Sequence, residues 1–336
     1  MIEHIWFKQN HPLKYLLWPI LWFFSVFFYL VIIIRIFLYR SSIKKSYRPP
    51  VAVIVVGNII VGGTGKTPFV IWLVNILKKR GFKPGVVSRG YGGNALKYPL
   101  IVEKTTLVQF CGDEPKLIQE RTGAIVVVSP IRNDAVKVLL SLDIDVIISD
   151  DGLQHYALER DIEISIVDSI RRFGNNRLIP LGPLREPVTR LSKVDFIISN
   201  GGRVLENEIS MKLKPSLAIN LKTGKKVSVA ELGKLVAFAG IGYPARFFHT
   251  LKELGAHLVA TKSFSDHKTF QVKELDLISS QGTNLIMTEK DAIKCRCFAK
   301  EHWWYLPVSA NFDIKDEQRI INKISEVVEF YGSSTT

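Results

Sequence analysis

The stretch Val51 to Pro68, VAVIVVGNIIVGGTGKTP, constrains this chain more than any other. Val51 to Val56 is an unbroken apolar run, the pattern of a strand buried on both faces of a parallel sheet. A loop with Gly62, Gly63, Thr64 and Gly65 follows, and Lys66 and Thr67 open a predicted helix running to Arg80. Glycines let backbone N–H groups close on phosphate oxygens, and a helix N-terminus adds partial positive charge. A lysine there reaches the β- and γ-phosphates, and a threonine hydroxyl holds Mg2+. Pro68 suits the first helical turn, where no N–H is needed. The usual pattern has glycine six places before the lysine; Ile60 stands there instead. Strand, glycines, Lys-Thr and helix in this order predict a nucleotide-phosphate site at Gly62–Thr67. An ordinary glycine-rich turn is the bland alternative.

Apolar runs and helical stretches alternate after this point. Strands are predicted at 51–56, 85–88, 124–129, 146–149, 162–167 and 194–199, with helices such as 69–80 and 131–142 between them. Such alternation implies right-handed crossovers and a mainly parallel sheet covered by helices. A second alternating set runs through 217–221, 234–239, 257–262, 285–288 and 304–308. Asn200 to Pro215 between the sets is polar and glycine-bearing. The expectation is an α/β core domain over 49–205 and a smaller α/β domain over 206–336. A chain of 336 residues is long enough for two such cores.

Upstream lies the most unusual composition. Leu16 to Ile34 is apolar apart from Ser25 and Pro19. As a helix, nineteen residues span about 28 Å, close to a bilayer's hydrocarbon core. Trp18, Trp22, Tyr29 and Tyr39 are placed to anchor at an interface. Arg40, Lys44, Lys45 and Arg48 follow, against Lys8 and Lys14 before it, which orients the bulk of the chain to the cytoplasm. No small-residue cleavage site follows, so residues 1–48 read as a retained membrane helix with a basic flank. A buried core helix is the alternative, and Pro19 leaves room for a bent or re-entrant insertion.

The net charge of +14 favours an anionic partner. Nucleic acid is disfavoured, because the cations are dispersed and no helix-turn-helix or basic-aromatic platform stands out. Cys111, Cys295 and Cys297 form no even disulfide set and point to a reducing compartment.

In open α/β sheets, ligands sit at the carboxyl ends of strands. After 146–149 comes Asp150-Asp151-Gly152-Leu153-Gln154-His155, and an apolar strand ending in aspartate is the metal-holding half of the P-loop pattern. After 85–88 comes Arg89-Gly90-Tyr91-Gly92-Gly93, where Arg89 reads as a phosphate clamp or part of a surface turn. In Gly112-Asp113-Glu114-Pro115, Asp113 reads as a helix cap or as an acid/base group. Leu178 to Pro187, LIPLGPLREP, is a rigid loop carrying Arg185 and Glu186. Asp266-His267 and Thr288-Glu289-Lys290-Asp291 follow strands of the second set.

These segments together resemble the tetraacyldisaccharide 4'-kinases, or lipid A 4'-kinases. GNIIVGGTGKTP, SRGYGG, GDEP, DDGLQH, PLGPLREP, SDH and TEKD come in that family's order across residues 57–291. The resemblance implies a P-loop NTPase-like first domain, a second α/β domain closing over the cleft, and a membrane-facing site. It implies transfer of the ATP γ-phosphate to the 4'-hydroxyl of an acylated disaccharide phosphate lipid, at the cytoplasmic side of a bacterial inner membrane. It assigns phosphate binding to Gly62–Thr67, and Mg2+ to Thr67, Asp150, Asp151 and Glu186. Asp113 becomes the base and His267 its partner. Arg89, Arg132, Gln154, His155 and Arg185 become phosphate or substrate contacts. No obligate protein partner is implied. A membrane-tethered P-loop NTPase switch acting on a protein is the competing reading.

Overall fold

The computed structural model describes residues 6–7 and 12–333. Helix α1 (Pro12–Arg40) runs through Pro19 without ending. Leu17–Arg40 is long and apolar enough to cross a membrane, and 6% of its apolar window is buried inside the molecule. A core helix hides its apolar side chains; here Phe23, Phe24, Phe27 and Phe37 are all exposed. Ser25 is the buried exception and donates to the Leu178 carbonyl at 3.0 Å. The Trp6 indole donates to Pro180 O at 2.9 Å, so the N-terminal segment is tied to the proline-rich loop. Lys8 and the side chain of Lys14 lie outside the described residues.

Eight strands come first: β1 (Ala52–Gly57), β2 (Pro84–Ser88), β3 (Leu100–Ile101), β4 (Ile125–Val128), β5 (Val146–Asp150), β6 (Ile162–Asp168), β7 (Phe196–Asn200) and β8 (Glu208–Pro215). Among them lie helices α2 (Lys66–Lys79), α3 (Val108–Cys111), α4 (Asp113–Thr122) and α5 (Arg132–Leu140). Then come β9 (Ala218–Asn220), β10 (Lys226–Val227), β11 (Lys234–Ala239), α6 (Pro244–Glu253), β12 (His257–Ser263) and α7 (Val272–Ser279). The chain continues with β13 (Asn284–Thr288), α8 (Glu289–Cys295), β14 (Trp303–Leu306), β15 (Val308–Asn311) and α9 (Ile314–Ser333).

The first sheet has the order β15-β8-β7-β6-β1-β5-β2-β4-β3, and the second β10-β9-β14-β13-β11-β12. The first is parallel except at its edge pairs, β3–β4 and β15–β8. Successive side chains of a strand face opposite ways. Ala52, Ile54 and Val56 accordingly join one core with Phe69, Leu73 and Leu77 of α2 and Ile320 and Ile324 of α9. Val53 and Val55 join the other, with Ala135, Val136 and Leu139 of α5. An uninterrupted apolar run is therefore what a two-faced central strand requires. In the second sheet α6 covers one face with Phe247 and Leu251, while Leu275 of α7 and Ala292 of α8 pack on the other.

The division expected at 205/206 needs correcting. Glu208–Pro215 is β8, parallel to β7 in the first sheet, and the chain returns to that sheet at β15 after completing the second. What reads as a polar linker is a half-buried strand lying between β15 and β7, with Ile209 and Met211 inward and Lys212 outward. The helix α9, which no sequence reading singled out, closes the first core. Ile320 is fully buried there. Ile320→Ala is expected to destabilise the protein by about 2–5 kcal/mol, read as a lower chaotrope midpoint; an unchanged midpoint removes α9 from the core.

Candidate active site

The carboxyl ends of the first sheet's central strands meet the second sheet around one cavity of about 960 Å3. The glycine loop forms part of its wall. Gly62 and Gly65 have φ of +105° and +98°, a region where a side chain is strained. Asn58, fully buried at the end of β1, donates its side-chain amide to Thr64 Oγ1 at 3.1 Å and to Gly62 O at 3.3 Å. Asn200, at the end of β7, donates to Thr64 O at 2.8 Å. Ile60 has a role glycine would fill poorly: its side chain is buried in the same core as Leu184, and residues 59–61 run beside the proline-rich loop. Ile60 bridges Leu184, Val61 N donates to Pro183 O at 2.8 Å, and Arg185 N donates to Ile59 O at 2.7 Å.

Lys66 reaches Asp151 at 3.4 Å, and Arg185 holds the same carboxylate at 2.8 and 3.0 Å. Burial opposes ionisation of Asp151, but Lys66 and Arg185 outweigh it and hold this carboxyl well below the usual range. Its neighbour behaves oppositely. Asp150 is 1% exposed, and burial, Glu114 and Asp151 push its carboxyl up to about 7. Asp150 Oδ1 is buried with no hydrogen-bond partner among the described residues. Arg132 donates through Nη2 to the carbonyls of Asp150 and Asp151, at 2.7 and 2.8 Å, and so fixes this strand end. Glu186 is 1% exposed and accepts from Gln154 at 2.8 Å and, in a short bond, from Tyr156. Gln154 also donates to Asn58 O at 3.1 Å. No group of three or more metal-ligating side chains occurs among the described residues.

Across the cavity, Asp113 opens α4 and is 4% exposed. His267, from the second sheet's loop after β12, places Nδ1 3.0 and 3.1 Å from its two oxygens. Lys290 stands 3.4 Å from His267 Nε2, 3.8 Å from Asp113, 3.0 Å from Glu114 and 3.1 Å from Asp266. With Nε2 facing an ammonium donor, the neutral imidazole carries its proton on Nδ1, toward Asp113. Burial alone raises the Asp113 carboxyl; the His267 bond and the charges of Lys290 and Lys294 more than offset it, and it lies below its ordinary value. His267 is raised: burial and Lys290 oppose its charge, and Asp113 prevails. Asp113 is the first residue of its helix, not a cap; the cap position belongs to Gly112, at φ +87°. Gly93 allows this turn, since a Cβ there would lie 2.6 Å from Gly112 N.

TEKD divides its labour. Thr288 accepts from Asp291 N and caps α8. Glu289 pairs with Arg121 of α4 at 2.6 Å. Lys290 serves the Asp113 cluster, and Asp291 accepts from Gly240 N at 2.9 Å.

A family model described as Tetraacyldisaccharide-1-P 4'-kinase matches residues 17–329. The chain belongs to this family. It is 58% identical over 335 residues to the tetraacyldisaccharide 4'-kinase of Vibrio vulnificus, covering 100% of both chains. Its identity to the Vibrio cholerae O395 relative of the same name is 59% over 333 residues, covering 99% of each. A crystal structure of LpxK from Aquifex aeolicus in complex with ATP superposes with TM-score 0.75 at 28% identity, covering 94% of this chain and 99% of that one.

Against this family background, every residue expected at the site lies on or beside the cavity, in two groups: the glycine-loop end with Gly62–Thr67, Asp150, Asp151, Arg185 and Glu186, and the Asp113–His267 end. Arg89, Gln154 and His155 line the cavity too. Sequence reasoning passed over Arg171, which donates to Gly63 O and Gly242 O, both at 2.9 Å, and so couples the glycine loop to the second sheet. It also passed over Asn58, Asn200 and Lys290 in their present roles. The glycines Gly240 and Gly242 just after β11 were a readable signal: a Cβ on Gly242 would lie 2.2 Å from Gly63 N.

Gly65→Ala adds positive-φ strain and sets a Cβ 2.3 Å from the Asn200 amide. ATP affinity, measured with a fluorescent nucleotide, is expected to fall about ten-fold or more. Adding Asn200→Ala relieves the clash but leaves the strain, so recovery is expected to be partial; full recovery would show that the clash alone matters.

Proposed function

We propose that this chain transfers the γ-phosphate of ATP to the 4'-hydroxyl of a tetraacyldisaccharide 1-phosphate at the membrane surface. The observation that carries the reading is the buried Asp113–His267 pair, facing the phosphate-binding loop across one cavity. A sugar hydroxyl is a poor nucleophile until its proton has somewhere to go. Asp113, desolvated and ionised, takes that proton as the hydroxyl oxygen bonds to the γ-phosphorus and the bond to the β–γ bridging oxygen breaks, leaving ADP. His267 orients the carboxylate, and Lys290 and Lys294 keep it charged until transfer. Lys66 and the N-terminus of α2 neutralise phosphate charge, with Arg185 beside them.

Thr67 and Asp150 suit Mg2+, because Asp150 Oδ1 is a buried oxygen that lacks a donor. Bound there, Mg2+ supplies neutralisation of the β- and γ-phosphate oxygens. Asp151 is engaged by two cations and Glu186 by two donors, so in this reading they support the site from behind. We further place α1 in a bacterial inner membrane, with the basic flank Arg40 to Arg48 and both sheets on the cytoplasmic side. The sheets act as two domains that close over the cavity.

The direct test is incubation with γ-labelled ATP and the acylated disaccharide, followed by chromatography of the lipid; label released only as free phosphate would favour a switch NTPase. Asp113→Ala is expected to lower kcat by about 10^2-fold or more, and His267→Ala by less. The double variant should be little worse than Asp113→Ala, since residues acting as one unit are not additive; multiplicative losses would separate their roles. A carboxyl with a depressed pKa stays ionised below its ordinary pKa, so the part of the acid limb of kcat/KM that Asp113 sets should lie low. Lys290→Met removes a stabilising cation and should move that limb up. Removal of residues 1–38 is expected to release much of the protein from membranes, with residual binding weakened by salt; unchanged sedimentation with membranes would remove α1 as the anchor.

A further inference from the structure

Side chains from three strand ends hold successive carbonyls of the glycine loop. Asn58, just after β1, donates to Gly62 O at 3.3 Å, and Asn200, the last residue of β7, donates to Thr64 O at 2.8 Å. Between them Arg171, in the turn after β6, donates to Gly63 O at 2.9 Å. In a trans peptide a C=O and the N–H that follows it point opposite ways. Holding Gly63 O and Thr64 O therefore turns the N–H groups of Thr64 and Gly65 away from Arg171 and Asn200. Among the described residues those two N–H groups donate to no acceptor. Successive free amides leading into the helix α2 form an anion-binding concavity. Arg171 differs from the two asparagines, because its other terminal nitrogen donates to Gly242 O of the second sheet at 2.9 Å. Its side chain is set by Asp168, fully buried at the end of β6. Asp168 Oδ1 accepts from Ile170 N and Arg171 N, both at 3.0 Å. Asp168 Oδ2 lies 3.6 Å from Arg171 Nε and 2.8 Å from Arg246 Nη2 of α6. The Tyr243 ring lies 4.7 Å from the Arg171 guanidinium and 5.7 Å from that of Arg246. Arg246 lines the cavity, whereas Arg171 stands behind its wall.

We propose that Arg171 is a positioning residue for ATP: it fixes the peptide between Gly63 and Thr64 so that the Thr64 amide meets the triphosphate, and it does so fully only while Gly242 is in reach. This rests on the nucleotide half of the kinase reading above. The positive charge acts on a carbonyl and not on phosphate. The loop's affinity for ATP then depends on where the second sheet stands, although that contact lies behind the cavity and not in it. A lysine is a poor substitute, since one ammonium lacks the planar fork that spans two carbonyls.

The test uses full-length enzyme in neutral-detergent micelles. Hydrogen exchange is read without nucleotide on peptides covering residues 57–68 and 240–246, and the Kd for ATP is measured by competition with a fluorescent nucleotide. In Arg171→Met both peptides are expected to exchange faster. The Kd for ATP is expected to rise about ten-fold or more, the size of one charge-assisted hydrogen bond, with KM for the acylated disaccharide unchanged at saturating ATP. Arg171→Lys should recover part of the ATP affinity. Weaker ATP binding with exchange unchanged in both peptides would mean that Arg171 touches phosphate itself, and would overturn the positioning role. Unchanged ATP affinity overturns it too, as does an equal loss for ATP and for the lipid. Wild-type ATP affinity in Arg171→Lys also overturns it, and that variant carries the test alone if Arg171→Met does not fold. Enzyme that phosphorylates no lipid, yet shows the expected changes in exchange and ATP affinity, overturns the kinase reading and leaves the positioning role standing.

Discussion

A carboxylate that is 4% exposed can stay ionised only if cations reach it through the protein. Asp113 belongs to the first sheet, and its partners His267, Lys290 and Lys294 all come from the second. Neither half of the molecule can hold this charge alone. The same seam carries Arg171, bonded to the glycine loop and to Gly242, and the Arg121–Glu289 pair. Electrostatics at the seam therefore bears on both the charge state of Asp113 and the position of the glycine loop.

At the end of β5 the logic is reversed. Asp150 and Asp151 are adjacent, and their environments drive their pKa values apart. Two cations keep one ionised, and burial lifts the other toward neutrality. Arg132 contributes by fixing both carbonyls, so the strand end cannot relax to separate the charges. An unpartnered carboxylate oxygen in that setting is a reason for a cation to bind there.

The strands and the glycine loop were legible because their physics is local: apolar runs read as buried strands, and glycines mark positive φ. The Asp113–His267 contact joins residues 154 apart, and no local pattern announces it; the order of the family's short motifs did. β8 was hidden because a half-buried strand near the end of a sheet alternates with lysines and looks like a linker. Arg171 and Lys290 were hidden for another reason. In a chain with 45 lysines and arginines, a single cation is informative only once its neighbours are known. Glu186, expected as a metal contact, accepts hydrogen bonds from Gln154 and Tyr156, partners that the residue type alone does not announce.

The return of the chain to its first sheet also bears on how the protein is made. β15 and α9 lie downstream of the whole second sheet, yet they complete the core that backs the glycine loop. During synthesis α1, long and apolar enough to cross a membrane, emerges early, while that core is still open. The second sheet can form from local contacts, whereas the first must wait for partners more than two hundred residues beyond β1. The nucleotide half, though encoded earlier, is thus finished later.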